Sequence, residues 1–504
     1  MKKIAALILG LLLLVPAVTA CGNVNNPADT ETEAPSVATT EAVAETVDNT
    51  HDVNGYLKDD LPEGLNFGVT ITTLMWDDYT MLEFYVEETS GNNIESAIFK
   101  RNNTVESRLG VTLKYSETNG AGGKENAYIK VAENDLNSGD ATFDIYGVYS
   151  KVPPLMSLKG YLTDLLSTKY FDIEKPWWPK ALTEECEING KLFYASGDIS
   201  TNLLWMMTGN FYNRALYASY TGDENYSKTP EQYVAANEWT MEKLFNMTKD
   251  SYIDTDNDNT KSAGDTYGMI LYNVNIDAFQ TSAGIISVEK NADGQLQLSA
   301  DYTGQRAADA CQLVGDYLKA TGVYYKDSTS IRNIFYEERG TFIIDRCFIV
   351  AGKDNASAHD KIEFSFGIVP VPKFNSEQET FCTSVGHPFS MYAISYASKN
   401  IDAASATLEC LASESYRTVT PEVFESTMKV RYADGAEVAE MYDIIRDNVR
   451  FDLGRLYSAG PIGSSLANQF RTSSINNPAG FLTAVKSASK VANKGLATIE
   501  ESFK

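Results

Sequence analysis

The sequence predicts an α/β protein of two domains, preceded by a leader and a polar tether. Three observations predict it. From residue 67 to residue 150, strand and helix patterns alternate, which implies a parallel sheet with right-handed crossovers. Removing leader and tether leaves about 440 residues, more than one ordinary core accommodates. A second series of strand and helix patterns starts near residue 187 and runs on with no internal repeat.

The leader comes first. Lys2 and Lys3 precede an apolar run at residues 4–20, seventeen residues long. That is short for a bilayer span and ordinary for a secretory signal. Val18-Thr19-Ala20-Cys21 resembles a bacterial lipobox. The resemblance implies a signal peptide over 1–20, diacylglycerol on the Cys21 thiol, and acylation of the new N-terminus, palmitate included. Two or three acyl chains hold a protein on a membrane where one would not. An uncleaved anchor, or a plain signal with an incidental cysteine, are the alternatives. Residues 21–60 carry many Thr, Glu, Ala and Asp and few large apolar residues. They are expected to form a disordered acidic tether, with the folded part starting near Leu61. The expected location is the outer face of the cell membrane, extracellular and lipid-anchored.

Hydrophobic content of 43% with 22% charged residues fits a globular protein. The formal net charge is −26, and losing Lys2 and Lys3 makes it more negative. Such a chain repels nucleic acid and anionic surfaces. After Ala20 no apolar run is long enough to span a bilayer. Cys186, Cys311, Cys347, Cys382 and Cys410 are odd in number and widely spread, with no C-x-x-C. They are expected as small buried apolar residues, although one pair could bond outside the cell. No cofactor is expected.

The elements follow in order. "FGVTITTL" (67–74) alternates and reads as a strand. The next stretch places Ile94, Ile98, Val105 and Leu109 on one helical face, with Gly110 as the stop. "VTLKY" (111–115) is a second strand, a helix over 125–137 follows, and "TFDIYGVYS" (142–150) is a third strand. Ligands of open sheets sit beyond the C-terminal strand ends. That places Trp76, Asp77 and Asp78 at one mouth, and Tyr146 and Tyr149 at another. Residues 187–217 read as a hairpin-like strand, a Gly-Asp turn and a second apolar strand ending in "FYNRALY". In "EWTMEKL" Thr240 is the expected helix N-cap, with Met241, Leu244 and Phe245 inward. "IFYEERGTFIIDRCF" (334–348) is an amphipathic end, a Gly break and a buried strand. "FSFGIVPVPKF" (364–374) and "GHPFSMYAIS" (386–395) contain strands. Residues 400–417 form a helix with Asn400 as cap and Ala404, Leu408 and Leu411 inward, and the remainder reads as mainly helical.

This order is similar to that of the extracellular solute-binding proteins of ABC transporters, in the carbohydrate-binding group (family 1) that includes maltose-binding protein. The resemblance covers most of the chain after about residue 61. It rests on "GKLFYASGDI…FYNRALY", "EWTMEKL", "FYEERGTFIIDR" and "FGIVPVPKF…GHPFSMYAIS…KNIDAASATLECL", in that order. One departure is Thr341-Phe342-Ile343-Ile344, where relatives carry Lys-Ala-Ala-Met. The resemblance implies a periplasmic-binding-protein-like type II fold: two lobes, a hinge and an interlobe ligand cleft. The N-terminal lobe would span 61–199 and 362–413, the C-terminal lobe 200–361 and 414–504. It implies a monomer that is no enzyme and hands its solute to ABC permease and ATPase subunits. No P-loop is present, so ATP hydrolysis belongs to those partners.

Aromatic content of 11% suits a sugar, whose C–H faces stack on rings. Trp76, Trp177, Trp178 and Trp205 are candidate platforms, with core packing as the alternative for each. Trp239 reads as a packing residue. Sugar hydroxyls need planar polar partners, and the candidates are Asp77, Asp144, Asn213, Arg346 and His387. The alternatives are an ordinary salt bridge for Arg346, a plain turn histidine for His387 and a backbone cap for Asn213.

"DTDNDNTKSAGD" sets Asp254, Asp256, Asp258 and Asp265 at EF-hand-like positions. Asn259 replaces the invariant Gly, so a solvated acidic loop is favoured over a calcium site. The function expected is capture of an extracellular carbohydrate, an oligosaccharide by preference. The alternatives are a polyamine or peptide binder, or a surface glycoside-active enzyme using two carboxylates across a cleft. An anionic solute would call for a cluster of Arg or Lys, and this acidic chain shows none.

Overall fold

The computed structural model describes residues 50–87, 91–220, 223–351, 362–431, 433 and 435–504. The signal, Cys21 and the tether through residue 49 lie outside the described residues. Residues 50–60, expected within the tether, are folded. His51 and Leu57 form an antiparallel bridge. The buried Asp59 carboxylate accepts from Arg108 Nη2 at 2.7 Å and Ser413 Oγ at 2.5 Å. Arg417 Nη2 lies 3.5 Å from it. Composition reads this polar stretch as unable to bury apolar surface. It folds instead because one carboxylate satisfies two arginines of the main body.

Twelve strands occur among the described residues: β1 (Val69–Trp76), β2 (Val111–Thr118), β3 (Ile145–Tyr149), β4 (Thr208–Asn213), β5 (Tyr252–Ile253), β6 (Thr266–Tyr272), β7 (Val288–Lys290), β8 (Leu296–Leu298), β9 (Val323–Lys326), β10 (Gly340–Arg346), β11 (Phe366–Pro370) and β12 (Ser390–Ile394). The first sheet has the order β12-β3-β1-β2. Its β1, β2 and β3 are parallel, and β12 closes the edge antiparallel to β3. Helix α1 (Asn93–Leu109) joins β1 to β2. Its first turn is capped by the Asn92 side chain accepting from Ile94 N–H, and it stops at Gly110, whose φ of 58° is left-handed. Ile94, Ile98, Val105 and Leu109 are buried, as their spacing predicts. Helix α2 (Glu125–Ser138) joins β2 to β3.

The chain then enters a second sheet of order β11-β4-β10-β6-β5. β10 and β9 each pair β6 in parallel, while β4 runs antiparallel to both β10 and β11. β7 and β8 form a separate hairpin. Thr240 caps the helix Met241–Thr248 by accepting from Lys243 N–H, and Met241, Leu244 and Phe245 are buried.

Several expectations are corrected. Residues 187–199 form no strand ladder. Ile188 and Lys191 close a tight turn through Asn189 and Gly190, both at left-handed φ, and Ala195 makes a single bridge to Tyr392. The apolar stretch after it begins as a helix, Thr201–Trp205, and only Thr208–Asn213 is strand. Asn400 makes no side-chain cap, and the helix Ile401–Glu414 is buried almost all round. Phe366–Pro370, expected with the first lobe, pairs with β4 of the second sheet. The continuation of the 401–414 helix through residue 431, of π type and expected in the second lobe, packs on α1.

The two sheets are joined where short crossing segments pair. Met207 bridges Val385, Thr208 N–H donates to Ser384 O at 3.0 Å, and Gly386 N–H donates to Met206 O at 2.8 Å. Residues 448–450 run alongside, with Thr383 bridging Val449. Cys186, Cys311, Cys347, Cys382 and Cys410 are buried, and no two of them pair among the described residues. Among the described residues no helix is long and apolar enough to cross a membrane.

Candidate functional site

The strand ends converge. Tyr149 ends β3, Tyr272 ends β6 and Arg346 ends β10, and all three line one cavity of about 370 Å³. This volume falls within the roughly 300–1,000 Å³ typical of small-molecule sites. Its floor is the junction between the sheets: Thr208 and residues 384–388 line it. Lys151, Asn275, Asp277, Arg455, Asn468 and Arg471 complete most of the wall. Any movement of one sheet against the other therefore changes the cavity's width.

The electrostatics are one-sided. Lys151, Arg346, Arg455 and Arg471 face a single lining carboxylate, Asp277. Asp277 Oδ2 stands 3.6 Å from Arg455 Nη1 and 3.5 Å from Arg471 Nη1. Asp277 Oδ1 is buried and has no hydrogen-bond partner among the described residues. Arg346 Nε lies 3.5 Å from Asp345, whose carboxylate is held at 2.6 Å by Arg332 Nε. Burial, reinforced by Arg455, pushes the Lys151 ammonium down to about 8. Burial and the neighbouring Lys151, Arg455, Arg346 and Arg471 push His387 well below the usual histidine range, so its imidazole is neutral. Ser150 Oγ donates to His387 O at 2.8 Å and fixes the turn.

No family model matches the sequence, and no curated protein does. Solved structures do. The chain is similar to the galacto-N-biose-/lacto-N-biose I-binding protein of the ABC transporter from Bifidobacterium longum, at 15% identity and a TM-score of 0.55, over 86% of this chain and 98% of that one. It is similar to the cyclic α-maltosyl-1,6-maltose binding protein from Arthrobacter globiformis, at 16% identity and a TM-score of 0.54, over 85% and 98%. The maltose-binding periplasmic protein from Listeria monocytogenes aligns at 14% identity and a TM-score of 0.50, over 86% and 97%. The chain has the periplasmic-binding-protein-like type II fold. In that fold the cavity at the strand ends is the interlobe cleft, and the paired crossing segments are the hinge.

Of the residues singled out in the sequence, Tyr149, Arg346 and His387 line the cleft. The tryptophans do not. Trp76 is buried behind the cleft: its ring meets the edge of Tyr149 at 5.6 Å, and its Nε1–H donates to Ser390 Oγ at 2.9 Å. Trp177 and Trp178 donate through Nε1–H to the two oxygens of Glu409, at 2.9 and 3.0 Å. They pin the Pro-bounded loop onto the helix Ile401–Glu414. Trp205 is buried in the core. Tyr146 is buried, its hydroxyl donating to Ser395 Oγ. Asp144 sits at the opposite end of β3, accepting from Thr72 N–H and Ser398 Oγ. Asp77 is exposed and outside the cavity lining. Asn213 caps the helix Arg214–Ala218 by accepting from Leu216 N–H. These tryptophans read as platforms because flat rings stack on sugar faces and because of their expected places at strand ends and in a Pro-bounded loop; the same large apolar rings also fill a core.

The sequence reading missed Lys151, Tyr272, Asp277, Arg455 and Arg471. Lys151 follows β3 by two residues, so the strand-end rule could have found it. Arg455 and Arg471 come from short helices of the C-terminal tail, which carry no local signal.

The acidic loop lies elsewhere. Carboxylate oxygens of Asp254, Asp256 and Asp265 come within 4.8 Å of one another. Asp258 instead accepts from Thr260 N–H. Asp265 accepts from Thr255 and Ser262 N–H and from the Tyr252 and Tyr267 hydroxyls. Asn259 takes the left-handed φ of 59° that a glycine would hold.

Proposed function

We propose that the protein is the solute-capturing component of an ABC import system, taking a carbohydrate between its two lobes and delivering it to a membrane permease. The observation that carries this is the cavity itself, lined by the C-terminal ends of strands from both sheets and floored by the hinge. A solute touching both lobes stabilises the closed arrangement, and the hinge supplies the motion. Tyr149 and Tyr272 offer rings for sugar faces, and Thr208, Ser384, Asn275 and Asn468 offer neutral polar groups for hydroxyls.

Binding without turnover is part of the proposal. Glycoside hydrolysis uses a pair of carboxylates about 5–10 Å apart across the sugar. Among the described residues, Asp277 is the one carboxylate in the lining. A polyamine is disfavoured because four cations would repel it. Lipid attachment at Cys21, a place on the outer face of the membrane, permease and ATPase partners and a monomeric state complete the reading.

A thermal-shift screen of the purified protein against mono- and oligosaccharides, polyamines, amino acids and peptides tests it. A ligand that binds only the folded form raises the melting temperature by mass action. The expected result is a shift with one class of saccharide and no product by chromatography. A shift confined to non-sugar solutes, or release of product, overturns the proposal.

A further inference from the structure

The chain carries a formal charge of −26, yet its cleft is cationic. Lys151 from the end of β3, Arg346 from the end of β10, and Arg455 and Arg471 from the tail meet at one cavity. The folded molecule thus builds the basic cluster that the linear sequence hides.

The protein neutralises this charge only in part: two carboxylates, Asp277 and Asp345, stand beside the four cations. Asp277 is shared between Arg455 and Arg471 at 3.6 and 3.5 Å, beyond good hydrogen-bonding distance. Asp345 belongs first to Arg332. Among the described residues, the side-chain N–H groups of Lys151, Arg455 and Arg471 donate no hydrogen bond, and Arg346 Nη1 meets only Met206 Sδ at 3.9 Å. The side chains of Arg346, Arg455 and Arg471 are 14%, 18% and 16% exposed. Cationic donors withdrawn this far from water are costly unless acceptors meet them. A neutral sugar offers hydroxyls but no compensating charge. An arginine fork instead matches the two oxygens of a carboxylate, or those of an acidic ester.

We infer that the solute is an anionic saccharide, a uronic-acid sugar or an acidic sugar ester, whose negative group is held by Lys151, Arg346, Arg455 and Arg471. This rests on the carbohydrate reading above and narrows it. The depressed Lys151 fits the same picture, since an anion beside it restores the stability of its charged form. Tyr149 and Tyr272 then meet the ring while the cations meet the charge.

Isothermal titration calorimetry on the purified protein tests this with digalacturonate, its neutral counterpart galactobiose, a sulfated disaccharide, a hexose phosphate, maltose and the non-sugar dicarboxylate malate. Digalacturonate is expected to bind at least about tenfold more tightly than galactobiose, as charge-assisted hydrogen bonds imply. Its affinity should fall as sodium chloride is raised. Preference for the sulfated or phosphorylated sugar supports the anion site and identifies an ester as the charge. Galactobiose or maltose binding as tightly as any charged sugar overturns the inference and leaves the carbohydrate reading standing. Malate binding while no saccharide does overturns both. Failure of every charged sugar at millimolar concentration overturns the inference.

The variants Lys151→Met and Arg471→Gln locate the site. Each should weaken charged-sugar binding by about tenfold or more; Lys151→Met removes a like charge and should melt at or above the parent's temperature, whereas Arg471→Gln takes one partner from the buried Asp277 and should melt lower while still folding. Unchanged affinity in both folded variants overturns the assignment of these residues.

Discussion

Gly386 lies against the stem of Arg346: a Cβ at position 386 would stand 2.5 Å from Arg346 Cδ. The contact joins the hinge to the end of β10, because Gly386 N–H also donates to Met206 O at 2.8 Å. The absent side chain is what lets Arg346 extend along the floor of the cleft. Gly386→Ala should therefore displace Arg346, costing about 1–3 kcal/mol of stability through overpacking and weakening ligand binding several-fold. Thermal unfolding and calorimetric titration of the variant check both. Binding at parental strength would show that Arg346 is not held in place by this glycine.

The Trp177 and Trp178 indoles hold Glu409 rather than a ligand. Trp177→Phe removes one donor and the second ring of a fully buried indole. It should lower stability by at least about 1–3 kcal/mol, the cost of an unsatisfied buried acceptor to which the cavity adds, and leave ligand affinity unchanged. A selective loss of affinity in a stable variant would return this tryptophan to the binding site.

Three buried carboxyls set a pH dependence. Burial pushes Glu409 up to about 7 against the opposing Trp178, Asp172 and Trp177 donors. Burial and then Asp452 push Glu185 up to about 7, and burial pushes Asp198 up to about 6 despite Arg446 and Thr420. A raised folded pKa means that the folded state holds its proton more tightly than the unfolded chain. The stability linked to these groups is complete below about 4, where the unfolded carboxyls are also protonated, and is lost as pH rises through 6 to 7. The melting temperature should fall between pH 5 and pH 8, and Glu185→Gln should flatten the fall. A melting temperature that rises over this range contradicts the assignment.

At the other end of the pH scale, Asp59 acts with opposite sign. Burial alone would raise it, but hydrogen bonds from Arg108 and Ser413 and the charges of Arg108 and Arg417 bring it down to about 2. Its contribution is present above about 3.8 and lost as pH falls through about 2. Asp59→Ala leaves Arg417, 8% exposed, with Glu414 alone and releases residues 50–60. Denaturant unfolding should show a loss of about 2–4 kcal/mol, at the lower side of a broken buried pair because Arg108 is one-third exposed. Proteolysis near residue 55 should accelerate in parallel.

The strands and helices of the first sheet were legible because their signals are local. Alternation marks β1, spacing of three and four marks α1, and Gly110 marks its end. Arg346 and His387 were legible as cleft residues because each adjoins a strand that the resemblance places there. What stayed hidden depends on contacts distant in sequence. Nothing near Arg455 or Arg471 announces that the tail folds back to Asp277. The tryptophans misled because a large ring with one donor serves a core as well as a cleft, and Glu409, more than 200 residues away, decides between them. The 50–60 segment misled because composition counts apolar surface and takes no account of a carboxylate paired with arginines.

The most direct measurement is a crystal structure of the protein grown with the saccharide that gives the largest thermal shift. The sugar should lie between Tyr149, Tyr272 and the 384–388 turn, with its negative group within hydrogen-bonding distance of Arg346, Lys151 or the Arg455–Arg471 pair. A ligand bound outside this cavity, or one seated in it with no group facing these cations, would contradict the reading of the cleft.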